Sequence, residues 1–171
     1  MSEIKTNRVT GRRAVHYDTL DELLAEAERL ASEEIEMLGN WTYPQILKHL
    51  ALSMNNSIDG FPGKAPLPIR LVVRLLRESF LSKSLPAGFK FPNRFRPQLE
   101  PPEETTLEEG LEDLRQAIAR VQSDSQRAPH PVLGQLSRED YDRLHLRHAE
   151  MHMSFVRPVR SPETVAESVS K

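Results

Sequence analysis

The sequence predicts an all-α fold in which four main helices form an antiparallel bundle, with a short extra helix and a long Pro/Phe-rich loop. Three observations lead to this prediction. Apolar residues mostly recur at steps of three and four over four long stretches, each stretch opens with a helix-capping pattern, and no strand pair or internal repeat is recognisable. Helices of this kind bury their apolar stripes against one another, and a bundle interior is a common place for metal sites.

The chain of 171 residues is long enough for one domain with a sizeable core. We expect an N-terminal extension at 1–17, the helical domain at 18–157 and a flexible tail at 158–171. The charges nearly balance, with 23 Lys+Arg against 25 Asp+Glu for a net charge of -2, so neither nucleic acid nor a membrane is an expected partner. Because cysteine is absent and no apolar leader or membrane-length apolar run is present, we expect a cytoplasmic location.

The first two helices each begin at a threonine. The apolar period over residues 18–38 follows a cap at Thr19, so the first helix is expected to extend to the end of that stretch. The second helix begins at a capping box on Thr42, has a proline in its first turn, and ends at Gly60. It carries His49, which makes it the first candidate element for a functional site.

Residues 69–83 predict a short third helix, whose apolar side holds Leu71, Val72, Leu75, Leu76 and Phe80. Three arginines on a neighbouring face would form either an anion-binding wall or a solvated surface, and the second is the default: Arg70, Arg74 and Arg77. The proline density of residues 85–105 excludes a regular helix. We expect an ordered loop there, held over the bundle by Phe89, Phe91, Phe95 and Leu99.

The last two predicted helices cover residues 107–124 and 137–156, and each opens with a capping box. The inward stripe of the final helix contains histidines as well as apolar residues. Glu150 is expected to point away from the histidine face, which makes it a poor general base. The outer side is expected to hold two apolar residues that would suit a homodimer contact or meet the Pro-rich loop, Leu146 and Met153.

Three histidines form the candidate site. His148 and His152 are four residues apart, so they project from one face of a helix and can reach one metal ion. His49 is the best third ligand, because its helix must also pack inward. Three neutral imidazoles with an open position are typical of a catalytic or ligand-binding metal. The alternative is that these residues are hydrogen-bonded core histidines or line a metal-free pocket.

Two blocks of the sequence resemble the DinB/YfiT superfamily of metalloenzymes and, more particularly, its uncharacterised branch. The first block includes residues 39–51 (GNWTYPQILKHLA) and 57–62 (SIDGFP), and it is similar to the second-helix signature of that superfamily. The second includes residues 130–137 (HPVLGQLS) and 147–155 (RHAEMHMSF), and it is similar to an HP-x-x-G-x-L loop followed by the final histidine helix. Both blocks occur in the order expected for the superfamily.

The resemblance implies an up-down-down-up four-helix bundle with a divalent metal on His49, His148 and His152. Zn or Ni is the first expectation for the ion, and Fe follows. Characterised relatives include bacillithiol and mycothiol transferases and a maleylpyruvate isomerase, which implies a metal-dependent enzyme with a small-molecule substrate, such as a thiol S-transferase. The alternative is a non-catalytic stress-response protein of the same fold that binds metal or a small ligand. Many relatives have histidine and glutamine where this chain has Met151 and Ser154.

No catalytic acid or base is identified by spacing. His145 is expected to pack or to support the ligands, and three polar residues are expected near the pocket: Ser53, Asn55 and Asn56. His130 precedes a proline and is expected to orient the last helix. Trp41, beside the cap of the second helix, is expected to set the angle of that helix as a hydrophobic staple.

Overall fold

A computed structural model describes residues 4–88 and 96–159 of the chain. The described residues are mostly helical, which confirms the coarse fold class. A 3-10 turn at Thr6–Arg8 precedes the α helices, which are α1 (Leu20–Ala31), α2 (Tyr43–Asp59), α3 (Leu67–Leu75), α4 (Arg77–Ser82), α5 (Arg96–Leu99), α6 (Leu107–Ser123) and α7 (Arg138–Met153). Two short strands, β1 (Ile35–Met37) and β2 (Val156–Pro158), pair antiparallel.

The main hydrophobic core lies between α1, α2, α6 and α7. Each of these helices contributes fully buried apolar side chains, among them Leu23, Leu47, Leu114 and Met153. Full burial of such a side chain is worth about 2 kcal/mol. Helices α2 and α6 approach each other closely, because Gly110 of α6 lies directly against the backbone at the start of α2. This contact fixes the position of the helix that carries His49.

The predicted caps form at the starts of the long helices. Thr42, Thr106 and Ser137 each accept a hydrogen bond from the backbone N–H three residues later, and the side chain of that residue bonds back to the cap. Thr19 accepts from its third neighbour in the same way. Gly60 ends α2 with a φ of 100°, a conformation that favours glycine. Local sequence therefore places the start of all four long helices correctly.

The prediction of one helix over residues 18–38 is wrong at its end, and so is the expectation of no strand pair. α1 stops at Ala31, and β1 pairs with β2 so that Glu36 lies opposite Arg157 and forms an ion pair with it. For the same reason α7 ends at Met153 instead of near residue 156. Strands of three residues are too short to show a period, and the partner is more than 100 residues away in sequence.

The predicted third helix over residues 69–83 is two helices, α3 and α4, with a break at Leu76. Its predicted apolar side is largely solvent-exposed, and Leu75 is 87% exposed. The side chains that attach this segment to the protein are instead Val73 and Leu81, which pack with Leu133, Leu136, Tyr141 and Leu144. The apolar period correctly indicated an amphipathic segment. It did not indicate that the apolar side faces solvent.

The expectation that Leu146 and Met153 lie on the outer side of the last helix is wrong. Both belong to the main core and are 7% and 0% exposed, so they are not the basis of a homodimer contact. Glu150 is not part of the cluster of His49, His148 and His152, yet it is buried, because Tyr17 and His16 of the N-terminal segment contact its carboxylate on another side of α7. α7 is therefore buried on two sides, which a single inward stripe does not predict.

The segment at 85–105 contains one helical turn, α5, where the sequence predicted no regular helix. α5 includes Pro97 in its first turn, a position that proline tolerates because the first N–H groups have no intrahelical partner. Leu99 at its end is 4% exposed and anchors the segment. The predicted anchors Phe89, Phe91 and Phe95 lie outside the described residues. The predicted tail begins inside β2, and its residues 160–171 also lie outside the described ranges.

The predicted N-terminal extension is in contact with the end of α7. Arg12 donates to the carbonyl oxygen of Met151, and Arg13 donates to that of Met153, each over 3.3 Å. These carbonyls belong to the last turn, where a helix leaves its acceptors without intrahelical partners. Tyr17 is 2% exposed. None of the helices in the described residues combines the length and the apolar content that crossing a bilayer requires.

Candidate metal centre

The three histidines singled out from the sequence lie together, one on α2 and two on α7. His148 Nε2 is 3.2 Å from His49 Nε2 and 3.0 Å from His152 Nε2. One ring nitrogen from each residue falls within a group whose members are all within 4.8 Å of one another. Two imidazole nitrogens bound to one Zn²⁺ at about 2.0–2.1 Å lie roughly 3 to 3.4 Å apart. The two measured separations therefore match those of ligands that share an ion.

A backbone carbonyl orients the first of these rings. His49 Nδ1 lies 2.6 Å from the carbonyl oxygen of Leu99, and because a carbonyl only accepts, Nδ1 must carry the proton. The neutral ring then has its lone pair on Nε2, the atom that faces His148. A ring N–H bonded to a carbonyl is the usual support of a metal-binding histidine. Sequence analysis did not identify this partner, which comes from the turn α5 in the Pro-rich segment.

Burial keeps all three rings neutral. Desolvation lowers the pKa of His49 to about 4, although the bond to Leu99 opposes the shift. It also lowers the pKa values of His148 and His152 well below the ordinary value, with a further contribution from neighbouring histidines and, for His152, from Arg12. A neutral imidazole has the lone pair that a metal requires, whereas an imidazolium has none. The cluster is therefore in its ligand form at neutral pH.

Trp41 forms an aromatic wall of the cluster. Its ring is stacked on His152 with a centroid distance of 5.5 Å and an interplanar angle of 13°, and it is tilted against His49 at 4.7 Å. The sequence analysis predicted that Trp41 acts as a hydrophobic staple at the start of α2, and it did not predict that Trp41 contacts the histidines. Its position eight residues before His49 was the one available signal, since the loop before a helix can fold back over the first turns. No pattern within the neighbouring sequence indicates that Trp41 stacks on His152 of α7.

The other histidines singled out from the sequence support the structure around the cluster. His145 is buried, its Nε2 is 3.1 Å from Ser57 Oγ, and its ring stacks on Tyr141. Burial lowers its pKa to about 3 and that of His130 to about 4. His130 Nδ1 accepts from the backbone N–H groups of residues 132 and 133 and so closes the loop before α7. The expected structural role of His130 agrees with these contacts.

Two of the three polar residues expected near the pocket have hydrogen-bond partners of their own, and Ser53 is half-buried on α2. Asn55 accepts from Arg120, and Asn56 donates to the carbonyl oxygens of Leu52 and Gln98. Glu150 accepts from the N–H of Tyr17 and pairs with Arg147. These contacts satisfy the hydrogen-bonding groups of Asn55, Asn56 and Glu150 away from the three histidines. The structure therefore brings together the three metal-ligand candidates and does not bring a carboxylate of α7 to them.

Ser154 has a local structural role at the end of α7. Ser154 Oγ accepts two hydrogen bonds from the Arg12 guanidinium and donates to the carbonyl oxygen of Met151. Arg12 also lies over the ring of Phe155, 4.3 Å from its centroid. Ser154 therefore ties the N-terminal segment to the turn that carries His152.

Comparison with known proteins gives one assignment. The sequence model of the family described as "Protein of unknown function (DUF1569)" matches residues 9–159, which include every helix described above, both strands and all three histidines. No curated protein and no solved structure matches the chain. Since the match extends over far more than half of the sequence, the chain belongs to the DUF1569 family.

Proposed function

We propose that the protein is a metal-dependent enzyme with an open divalent-metal site on His49, His148 and His152. Zn²⁺ and Ni²⁺ are the first choices for the ion and Fe²⁺ the next, because imidazole suits all three. The observation that carries the proposal is the convergence of three ring nitrogens, from one buried and two half-buried histidines, at separations of 3.0 and 3.2 Å. The DinB-like up-down-down-up topology and a cytoplasmic location are parts of the same proposal.

The number of protons available on the facing ring nitrogens favours a shared cation over hydrogen bonds among the three histidines. His148 Nε2 faces the Nε2 atoms of both other rings, and a neutral ring offers at that atom either one proton or one lone pair. It can therefore satisfy one neighbour and leaves the other contact unfavourable. A cation accepts all three lone pairs, so the geometry suits a metal better than the rings alone.

The neutral imidazoles of His49, His148 and His152 would hold the divalent ion, and the ion would supply a Lewis acid that lowers the pKa of a bound thiol or water. Because the chain has no cysteine, a reacting thiol would belong to the substrate. In a thiol transfer the sulfur forms a bond to an electrophilic carbon, the leaving group departs with the bonding electron pair, and the thiol proton passes to solvent. The chain's own contribution is to hold the three ring nitrogens close together and to cover His49 and His152 with the ring of Trp41.

The metal premise is tested on metal-free protein titrated with Zn²⁺, Ni²⁺ or Fe²⁺. Trp41 is the sole tryptophan and stacks on His152, so we expect Ni²⁺ to quench its fluorescence with one-to-one stoichiometry. His148→Ala removes the central ligand and is expected to weaken binding about 100-fold. His16→Ala, at a histidine whose side chain is 63% exposed, is the matched control and should bind as the parent does. Equal binding by the parent and His148→Ala would contradict the proposal.

The enzymatic premise is tested separately on the metal-loaded protein. We expect a low-molecular-weight thiol to be consumed in the presence of an electrophile and a thioether product to form, with both lost in His148→Ala. If one equivalent of metal binds and no conjugate forms across a panel of thiols, the non-catalytic metal-binding protein is the correct function.

A further inference from the structure

Helix α3 presents an apolar face to solvent. Of the eight large apolar residues that the described part of the chain exposes, six lie between residues 67 and 76. Their exposed fractions run from 48% to 87%: Leu67, Ile69, Leu71, Val72, Leu75 and Leu76. Single exposed apolar residues are ordinary, whereas a contiguous patch marks a surface that meets a partner.

The orientation of α3 is set by the opposite face of the helix. Val73 packs inward on the cluster that contains Leu81 and Tyr141, and Arg77 at the start of α4 pairs with Asp140 of α7. At 3.6 residues per turn, Leu67, Leu71 and Leu75 form a row directed away from these anchors. The apolar face is therefore held outward by contacts on both helices of the segment.

Positive charge borders this face. Between residues 67 and 83 the chain has four basic residues and one acidic residue, although the whole chain has a net charge of -2. Arg77 is neutralised by Asp140, and Glu78 pairs with Arg143, so the excess charge is carried by Arg70, Arg74 and Lys83. Arg70 and Arg74 follow each other along one edge of the apolar row. Basic residues beside an outward apolar face are typical of helices that lie in the interface of an anionic bilayer.

We propose that the α3 face binds peripherally to the surface of an anionic lipid bilayer. The leucine row enters the boundary between headgroups and acyl chains, while Arg74 reaches the phosphates at the edge of the row. The helix lies on the bilayer and does not cross it, in accord with its nine residues. The near-neutral charge of the whole chain gave no reason to expect this partner, because the feature is local to one face.

A second copy of the chain fits this face less well. A two-fold contact places the same surface on both sides, so the arginines of one α3 would approach those of the other. Like charges at such a contact oppose association. An anionic bilayer offers acyl chains to the leucine row and phosphates to the arginines. For that reason it is the occupant we assign.

The test is co-sedimentation of the full chain with vesicles of phosphatidylcholine that contain about 30 mol % phosphatidylglycerol or none. We expect binding to the anionic vesicles alone, weakened by salt. Two variants should each reduce the partition coefficient roughly tenfold or more, Leu71→Ser with Leu75→Ser and, separately, Arg74→Glu. Their matched controls change exposed residues elsewhere, Ile4→Ser with Val159→Ser and Arg8→Glu, and should bind as the parent does.

The proposal is overturned by no binding to anionic vesicles, by equal binding to neutral ones, or by losses in the controls as large as those in the α3 variants. Light scattering adds a direct check, because a dimer that dissociates on Leu71→Ser with Leu75→Ser would assign the face to a second copy. The altered side chains are exposed, so the variants are expected to fold. His148→Ala should bind vesicles as the parent does, which separates this inference from the metal site.

Discussion

His49 Nδ1 donates to the carbonyl oxygen of Leu99 over 2.6 Å, and this one bond determines which nitrogen of His49 faces the other two histidines. His145 is held in the opposite way. Ser57 Oγ donates its only proton to the carbonyl oxygen of Met54 over 2.6 Å, so it must accept from His145 Nε2. Two buried histidines of neighbouring helices therefore have opposite tautomers, each imposed by a backbone carbonyl.

The first prediction concerns these tautomers. In the metal-free protein at pH 7.5, ¹⁵N NMR of the imidazoles should show His49 protonated on Nδ1 and His145 protonated on Nε2. Ser57→Ala should remove the preference of His145 for protonation on Nε2. The tautomer of His49 should not change in this variant, which provides an internal control. A His49 ring protonated on Nε2 would show that Leu99 does not orient it.

The second prediction is a loss of stability in acid. Because the folded pKa of His145 is lowered to about 3, the unfolded chain takes up a proton as pH falls below about 6.5 while the folded chain does not. Stability is thus complete above that pH and declines as pH falls toward 3. Between pH 7 and pH 5, His145 alone accounts for about 2 kcal/mol of the free energy of unfolding.

Urea unfolding of the metal-free protein at the two pH values measures this difference. His145→Gln should make the difference about 2 kcal/mol smaller than in the parent. Leu136→Ala is the control, because it lowers stability without removing a titrating group. The difference in its free energy of unfolding between pH 7 and pH 5 should equal that of the parent. An unchanged difference in His145→Gln would show that His145 is not held neutral by burial.

The third prediction concerns Glu150, which joins the N-terminal segment to α7. Its carboxylate is 2% exposed, accepts from the N–H of Tyr17 over 3.0 Å and pairs with Arg147 at 2.8 Å. Glu150→Ala leaves the Arg147 charge without this partner and should cost about 3 kcal/mol. The exposed Glu139→Ala should cost far less. Metal affinity of Glu150→Ala should stay close to that of the parent, and a loss of metal with stability unchanged would contradict a purely structural role.

The fourth prediction concerns the contact between α2 and α6. A Cβ added at Gly110 would lie 2.8 Å from the carbonyl oxygen of Pro44 and 3.3 Å from Leu47 Cβ. Gly110→Ala should therefore destabilise the fold by about 2 kcal/mol, although alanine is about 1 kcal/mol the better helix former. Thermal unfolding is the measurement.

An exposed position of the same helix supplies the control for Gly110. Ala119→Gly should lose about 1 kcal/mol from helix propensity alone. A gain of stability in Gly110→Ala would mean that the two helices are not in close contact there.

Local signals predicted a large part of this structure. The capping boxes at Thr42, Thr106 and Ser137 form as expected, because a cap depends on residues within one turn. The spacing of His148 and His152 alone places both rings on one face of α7. The same spacing has no information about metal, and the ligand role of the three histidines stays a prediction until a metal titration is made.

Tertiary contacts decided what depends on residues far apart in sequence. The tautomer of His49 depends on a carbonyl 50 residues later, and the stacking of Trp41 on His152 joins the loop before α2 to the last turn of α7. Likewise, β1 has a strand conformation only because β2 lies beside it. Periodicity found the apolar row of α3, but whether such a row faces the core or solvent depends on which neighbouring surfaces are already filled. The sequence by itself thus determined where the four long helices begin and which histidines are candidate ligands, and only packing decided the orientation of each ring and of α3.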